Sequence, residues 1–501
     1  MKKGPLVLAI DVGTSSVRAI LYDFSAGELK ATEAQLTYQP RLSAGGRAEV
    51  PVSDLTALVG AAIDRCLDLA GPDSGRIAAV GVSTFWHGLV ALDGGGRALT
   101  GVILWSDTRA WAQSERLRAT LDAEAVRQRT GAPIHPSFWP AKLAWLREAE
   151  PDLWQRAKSF ASFGDIFYRR LFGSLGTSLS MASGTGLLRL DGSSWDQQLL
   201  DVLDVPQTAL PVLANVETGL RPEFAGRWPS LATVPWLHAF GDGALANLGS
   251  GCTEPSQRAL TVGTSGALRV LAGQRPKKLP PGLWCYRLDG RRYVTGGALS
   301  NGGNLYAWLL RTLRVEPRGL EARLARMRPA STGLTFLPLL AGERSPGFAA
   351  KATGAIGGLT QATTAEQIVR AGLEAVAVEF AQVDRALDQL GWRPAERLVA
   401  SGGGLLGSPA WMQIMADVIG KPVAASRAQE ASSQGAAVMA LEHLGGAPAR
   451  KERLGHTFEP RRAAHLAYRE TVRRQQALYD ALIGERILDS PGKGAHLEVE
   501  N

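Results

Sequence analysis

Two carboxylates and a repeated small-residue turn are the residues of this sequence best placed to do chemistry. Asp11 ends a short apolar run (residues 6–10) and is followed closely by Gly13-Thr14-Ser15. A glycine lets a bound group approach the backbone, and successive N–H groups with two hydroxyls make a nest for an anion. The same four letters, Val-Gly-Thr-Ser, stand at 12–15 and at 262–265 in a chain of 501 residues. Asp11 beside such a turn can hold a Mg²⁺ ion against phosphate oxygens, or simply close the hairpin as an Asx-turn residue. Asp242 lies between Gly241 and Gly243 before a small-residue helix. There it can accept the hydrogen bond of an attacking alcohol and orient its oxygen; the plainer reading is an N-cap for a helix starting at Ala244. Together these residues describe phosphoryl transfer to a hydroxyl.

The elements that must position them are legible from pattern. Each Val-Gly-Thr-Ser is flanked by apolar segments, 6–12 and 17–22 in the first copy, 259–262 and 267–271 in the second, so each reads as a β-hairpin. The pair, half a chain apart, reads as two domains with one core plan, their turns gripping the two ends of a triphosphate across a cleft. Strand 77–83 leads to Trp86-His87, and strand 102–105 to Trp105-x-Asp107-x-Arg109. An aromatic wall rimmed by His, Asp and Arg suits a polyol, although Trp also packs cores and Asp–Arg pairs also tie loops together. Strand 397–400 leads into Ser401-Gly402-Gly403-Gly404 and a helix from Ala410, where glycines admit a purine and ribose against the backbone. The glycine spacing is not a Rossmann fingerprint, and no Walker A sequence occurs. Helical spacing over 365–390 and a basic helix over 461–483 complete an α/β chain, with 490–501 read as a loose tail.

Bulk properties exclude several classes. The net charge is +8, but acidic residues are interspersed with the basic ones and no aromatic-basic module appears, so nucleic acid is not an expected partner. Cys66, Cys252 and Cys285 are too scattered for a disulfide framework or a zinc site. The first apolar run stops at Asp11, too short for a signal peptide, and no run reaches a membrane span. A cytoplasmic protein with a small-molecule partner is expected; a homodimer is compatible with this.

In register along residues 6–485, the motifs together resemble the FGGY family of carbohydrate kinases, within the actin-like ATPase superfamily. The resemblance rests on Asp11-x-Gly-Thr-Ser-Ser-x-Arg18, Gly241-Asp242-Gly243, Val262-Gly-Thr-Ser-Gly266, Gly357-Gly-Leu359 with Arg370-Ala-Gly-Leu-Glu374, and Gly402-Gly-Gly404 with Ser408, Trp411 and Met412. It implies two actin-like (ribonuclease H-like) α/β domains around an interdomain cleft. The first (1–245) would bind mainly sugar and the second (246–485) mainly ATP, with 486–501 as the tail. It also implies Asp242 as catalytic base and Asp11 near Mg²⁺. Thr14, Ser15, Arg18, Gly263, Thr264, Gly403, Gly404 and Ser408 would bind ATP and its phosphates, and Trp86, His87, Asp107 and Arg109 the sugar. Gly342-Glu-Arg-Ser-Pro346 and the segment after Asp242 are similar to the gluconate-kinase branch, whereas Thr84-Phe-Trp-His-Gly88 is closer to the pentulose kinases. Gluconate is therefore the expected acceptor, with Arg109 and His87 as candidate cations for its carboxylate. Xylulose or another ketopentose is the alternative, and an actin-like ATPase switch the alternative of another class.

Overall fold

The computed structural model describes residues 4–23, 32–428, 430–446 and 454–484; the expected tail lies outside them. Strand β1 (Leu6–Val12) is buried at every position, which is why its sequence runs apolar up to Asp11 instead of alternating. It turns back through Gly13, Thr14 and Ser15 into antiparallel β2 (Ser16–Tyr22), with Asp11 opposite Arg18. The turn is closed by the Gly13 N–H donating to the Ser16 carbonyl at 2.9 Å. β3 (Ala34–Thr37) extends the hairpin, and α1 (Val52–Ala70) covers it, turning Leu55, Val59, Ala62, Ile63 and Cys66 inward at helical spacing. β4 (Ile77–Thr84) runs parallel to β1 and sets Ser83 beside Asp11. With β5 (Val216–Glu217), β6 (Trp236–Leu237) and β7 (Phe240–Gly241) the sheet runs β5-β6-β4-β1-β2-β3, β7 also pairing with β4. β7 runs directly into α2 (Asp242–Gly249).

The second half repeats this plan. β8 (Gln257–Val262) and β9 (Gly266–Ala272) form the second hairpin. β10 (Trp284–Arg287), β11 (Tyr293–Leu299), β12 (Arg397–Ser401), β13 (Val423–Ser426) and β14 (Leu454–Phe458) complete the order β10-β11-β9-β8-β12-β13-β14. β12 lies parallel to β8 as β4 does to β1. Its helices are α3 (Gly303–Thr312), α4 (Ala365–Asp388), α5 (Pro409–Ile419), α6 (Ala431–His443) and α7 (Arg462–Tyr479). α4, which opens on a capping box of Thr364 and Gln367, and α7 match the expected helices to within a few residues.

The linear division expected at residue 245 differs from the spatial one. α6 belongs to the second half by sequence, yet Ala436–Leu441 are buried in the core of the first sheet. It reaches that position by crossing α2 backbone against backbone. A β-carbon on Gly435 would lie 2.0 Å from the Leu245 carbonyl oxygen, and one on Gly249 would lie 1.9 Å from that of Ala431. Helix propensity alone would make Gly435→Ala stabilising by about 1 kcal/mol. The clash reverses the sign: thermal or denaturant unfolding of Gly435→Ala is expected to show a loss of about 1–3 kcal/mol. Gly75→Ala, which meets nothing within 4 Å, should change stability by less than about 0.5 kcal/mol. Equal stability of the two variants would contradict the close crossing.

Candidate active site

Both turns point into one cleft between the sheets. An outer chamber of about 830 Å³ is walled by Thr14 and Ser15 from the first turn and by Gly263, Thr264 and Ser265 from the second. An inner chamber of about 200 Å³ shares Thr14, Trp105, Thr261, Ser265 and Arg344 with it and contains Asp242. The first tip is held by Tyr38, whose hydroxyl donates to the Gly13 carbonyl at 2.5 Å and whose N–H donates to that of Ser15 at 2.9 Å. At the second tip the N–H groups of Gly303 and Asn304 donate to the carbonyls of Gly263 and Thr264 at 2.9 and 3.0 Å.

The glycine run after β12 packs on this second tip. Gly402 has φ 89°, and a β-carbon there would lie 2.4 Å from the Val262 carbonyl oxygen; one on Gly404 would lie 3.0 Å from that of Gly263. Only Gly403 of the three meets nothing within 4 Å and leaves an open face. Ser408 departs from its expected ligand role. It is buried at the N-cap of α5, where its hydroxyl accepts the Trp411 N–H at 3.2 Å.

Asp11 is buried, Asp242 is half-buried, and the first is near enough to act on the second. Asp11 sits at the end of β1 with its Oδ1 buried and without a hydrogen-bond partner, so it does not act as an Asx-turn residue. Burial raises its pKa, against the Ser83 hydroxyl and the Arg18 charge. Arg18, expected at the phosphates, is instead paired through Nε with Glu430 at 3.1 Å, just before α6. Asp242 is the first residue of α2 with Gly241 as the N-cap, so its side chain does not cap the helix as the alternative reading had it. Its Oδ1 accepts the Gly243 N–H at 2.7 Å. Burial, followed by the charge of Asp11, pushes the Asp242 pKa up to about 6, against the pull of Arg269 and Arg344.

The inner wall is aromatic and comes from both halves. Trp86 donates its indole N–H to the Ser180 carbonyl at 3.0 Å. Its ring lies so close over Gly241 that a β-carbon there would be 1.8 Å away. Trp284 and Tyr286 of β10 stack at 4.4 Å between ring centres, with Tyr286 edge-on to Trp86 at 5.0 Å. His87 lines the same chamber. Its Nδ1 is 2.5 Å from the Gly184 carbonyl, which can only accept, so Nδ1 carries the proton and Nε2 is bare. Burial, with the charges of Lys142, Arg344 and His135 adding, lowers the His87 pKa to about 3. The ring is neutral, and the expectation of a cation there is corrected.

Asp107 and Arg109 serve the scaffold. Asp107 accepts the Ala48 N–H at 2.9 Å and the Arg109 N–H at 3.0 Å, and the residue borders the outer chamber. Arg109 pairs with Asp107 and Glu49 and lies 4.3 Å over the Trp145 ring. Arg109 walls neither chamber. The cations that do wall the inner one are Arg269 and Arg344, which sequence reasoning passed over together with Trp284 and Tyr286. Arg344 was visible only as one letter of Gly342-Glu-Arg-Ser-Pro346, and Arg269 as the basic residue of the strand after the second turn.

Residues 6–249 match the N-terminal domain, and residues 259–442 the C-terminal domain, of the FGGY family of carbohydrate kinases. The chain is 29% identical over 455 residues to the gluconokinase of Bacillus subtilis (strain 168), covering 88% of each. The solved structures of a gluconate kinase and of a ligand-bound xylulose kinase, both from Lactobacillus acidophilus, each superpose with a TM-score of 0.88 at 26% identity. Each covers 95% of this chain and 98% of its own. The two matched domains follow the order of the two sheets, and the protein belongs to the FGGY family of carbohydrate kinases, phosphotransferases that take an alcohol group as acceptor.

Proposed function

We propose that the protein transfers the γ-phosphate of ATP to the terminal hydroxyl of gluconate, giving 6-phosphogluconate. The observation that carries this reading is that Asp242 and both Gly-Thr-Ser turns wall one continuous cleft. The gluconokinase of B. subtilis and the L. acidophilus gluconate kinase support the acceptor. A ketopentose is the second reading, because the L. acidophilus xylulose kinase superposes equally well.

Thr14, Ser15, Gly263 and Thr264 would flank the triphosphate from its two sides, with the open backbone at Gly403 toward the nucleoside. Asp242 is ionised at neutral pH and accepts the hydrogen bond of the acceptor hydroxyl. As the acceptor oxygen bonds to the γ-phosphorus and the bond from phosphorus to the β,γ-bridging oxygen breaks, the hydroxyl proton passes to Asp242 and then to water. The orphaned, buried Oδ1 of Asp11 fits a Mg²⁺ ion held directly or through water. Among the described residues no three His, Cys, Asp or Glu gather into a complete site, so its other ligands would be phosphate oxygens and water. The ion would neutralise charge on the phosphate oxygens. The walls drawn from both halves exclude water, which would otherwise compete with the acceptor.

Asp242→Asn should lower kcat by roughly 10²–10⁴-fold with ATP affinity nearly intact; a wild-type rate would remove Asp242 from the mechanism. With its pKa raised to about 6, the base is protonated and idle below that pH. The kcat/KM for the acceptor should therefore fall about tenfold per unit below a limb near pH 6 and level off above it. The limb should disappear in Asp242→Asn. Asp11→Asn should raise the half-saturating Mg²⁺ concentration by about tenfold or more and, by removing a neighbouring negative charge, move the acid limb to lower pH. An unchanged metal titration would count against Asp11.

A further inference from the structure

We infer that Arg344 is the specificity-determining residue of the inner chamber: its guanidinium, held on the face of Trp105, receives the carboxylate of a sugar acid. The inference rests on the gluconate reading above and names the group that would distinguish an aldonate from a neutral polyol.

The argument is one of charge inside a small buried space. Asp242, Arg269 and Arg344 are the charged side chains that wall the inner chamber. Arg269 is already committed. Its Nε donates to Asn247 Oδ1 at 3.1 Å and one terminal nitrogen to Thr261 Oγ1 at 2.9 Å. The other terminal nitrogen lies against Gly243, where a β-carbon would be 3.3 Å from it. Arg269 thus balances Asp242. Arg344 is left over. One terminal nitrogen donates to the Leu299 carbonyl at 2.8 Å, and its Nε is buried without a hydrogen-bond partner. The guanidinium carbon sits 4.3 Å from the centre of the Trp105 ring. The neighbouring Glu343 does not neutralise it. That carboxylate is turned onto the N–H groups of Gly347 and Ala349 and the Tyr479 hydroxyl, at 3.0, 3.2 and 2.7 Å.

Arg344 is half-buried, its Nε has no hydrogen-bond partner, and it shares the charge of Asp242 with Arg269, so the chamber carries one positive charge more than it balances. A carboxylate offers it a planar, two-pronged acceptor that a neutral hydroxyl cannot match. The other basic groups near this wall are excluded as the partner. His87 is neutral with its Nε2 bare, and Lys142 Nζ is taken up by the carbonyls of His87 and Ile103 at 2.7 and 3.2 Å. An acceptor spanning the chamber would place its carboxylate on Arg344 and a distant hydroxyl on Asp242.

Arg344 also borders the outer chamber, so the rival role is contact with the transferred phosphate, and kinetics separate the two. Initial rates of the wild type, Arg344→Gln and Arg344→Lys would be measured at saturating Mg-ATP with gluconate, glucitol and xylulose. The wild type should prefer gluconate. Arg344→Gln should lower the ratio of kcat/KM for gluconate to that for the neutral acceptors by roughly 10²-fold, chiefly through KM, and Arg344→Lys should recover part of it. Turnover of the neutral acceptors by the variants serves as the check on folding. Calorimetric binding of gluconate without nucleotide should weaken in parallel. An equal fall for all three acceptors would assign Arg344 to the phosphate and overturn the inference while leaving the gluconate reading intact. A wild type that uses only neutral acceptors would overturn both.

Discussion

A buried carboxylate, Asp11, acting on a half-buried one, Asp242, sets the charge pattern of this cleft. Asp11 and Asp242 each come from the first half of the chain, each at the end of a strand, where the sheet delivers them to the same crevice. Burial makes both reluctant to ionise, and the charge of Asp11 further raises the cost of ionising Asp242. The surrounding cations answer this. Arg269 and Arg344 enter from the second half toward Asp242, and Arg18 lies across the hairpin from Asp11. The Asp242 pKa rests at about 6 because burial and the Asp11 charge outweigh the pull of Arg269 and Arg344.

The sequence disclosed what is local and hid what is assembled. Both hairpins, the parallel strands beside them and the acids at strand ends could be read because turn chemistry and strand pattern span only a dozen residues. Asp242 stood out for the same reason, fixed between two glycines that Trp86 covers. The wall of the inner chamber was only half legible. Trp86 and His87 follow a strand of the first half, but Trp284, Tyr286, Arg269 and Arg344 reach the chamber from strands and a loop of the second, more than 150 residues later. No spacing rule connects them.

Arg109 illustrates the opposite error. Asp-x-Arg after a strand has the composition of a ligand rim, but the two side chains satisfy each other and Glu49, a pairing that sequence leaves undetermined between site and scaffold. The family resemblance places Ser408 toward the nucleotide, but the α5 N-terminus takes its hydroxyl. His87 lies among the aromatic rings of the inner chamber. Its tautomer, however, is set by a carbonyl at Gly184, 97 residues away.

The inner chamber draws its aromatic wall from both halves, and the outer one draws its turns from both. Ligands bound in the two chambers as proposed would each touch both halves. Binding free energies in such an arrangement are linked and reciprocal: whatever factor nucleotide adds to the affinity for acceptor, acceptor returns to the affinity for nucleotide. Any synergy between the two substrates would then follow from the shared walls themselves, with no third site required to produce it.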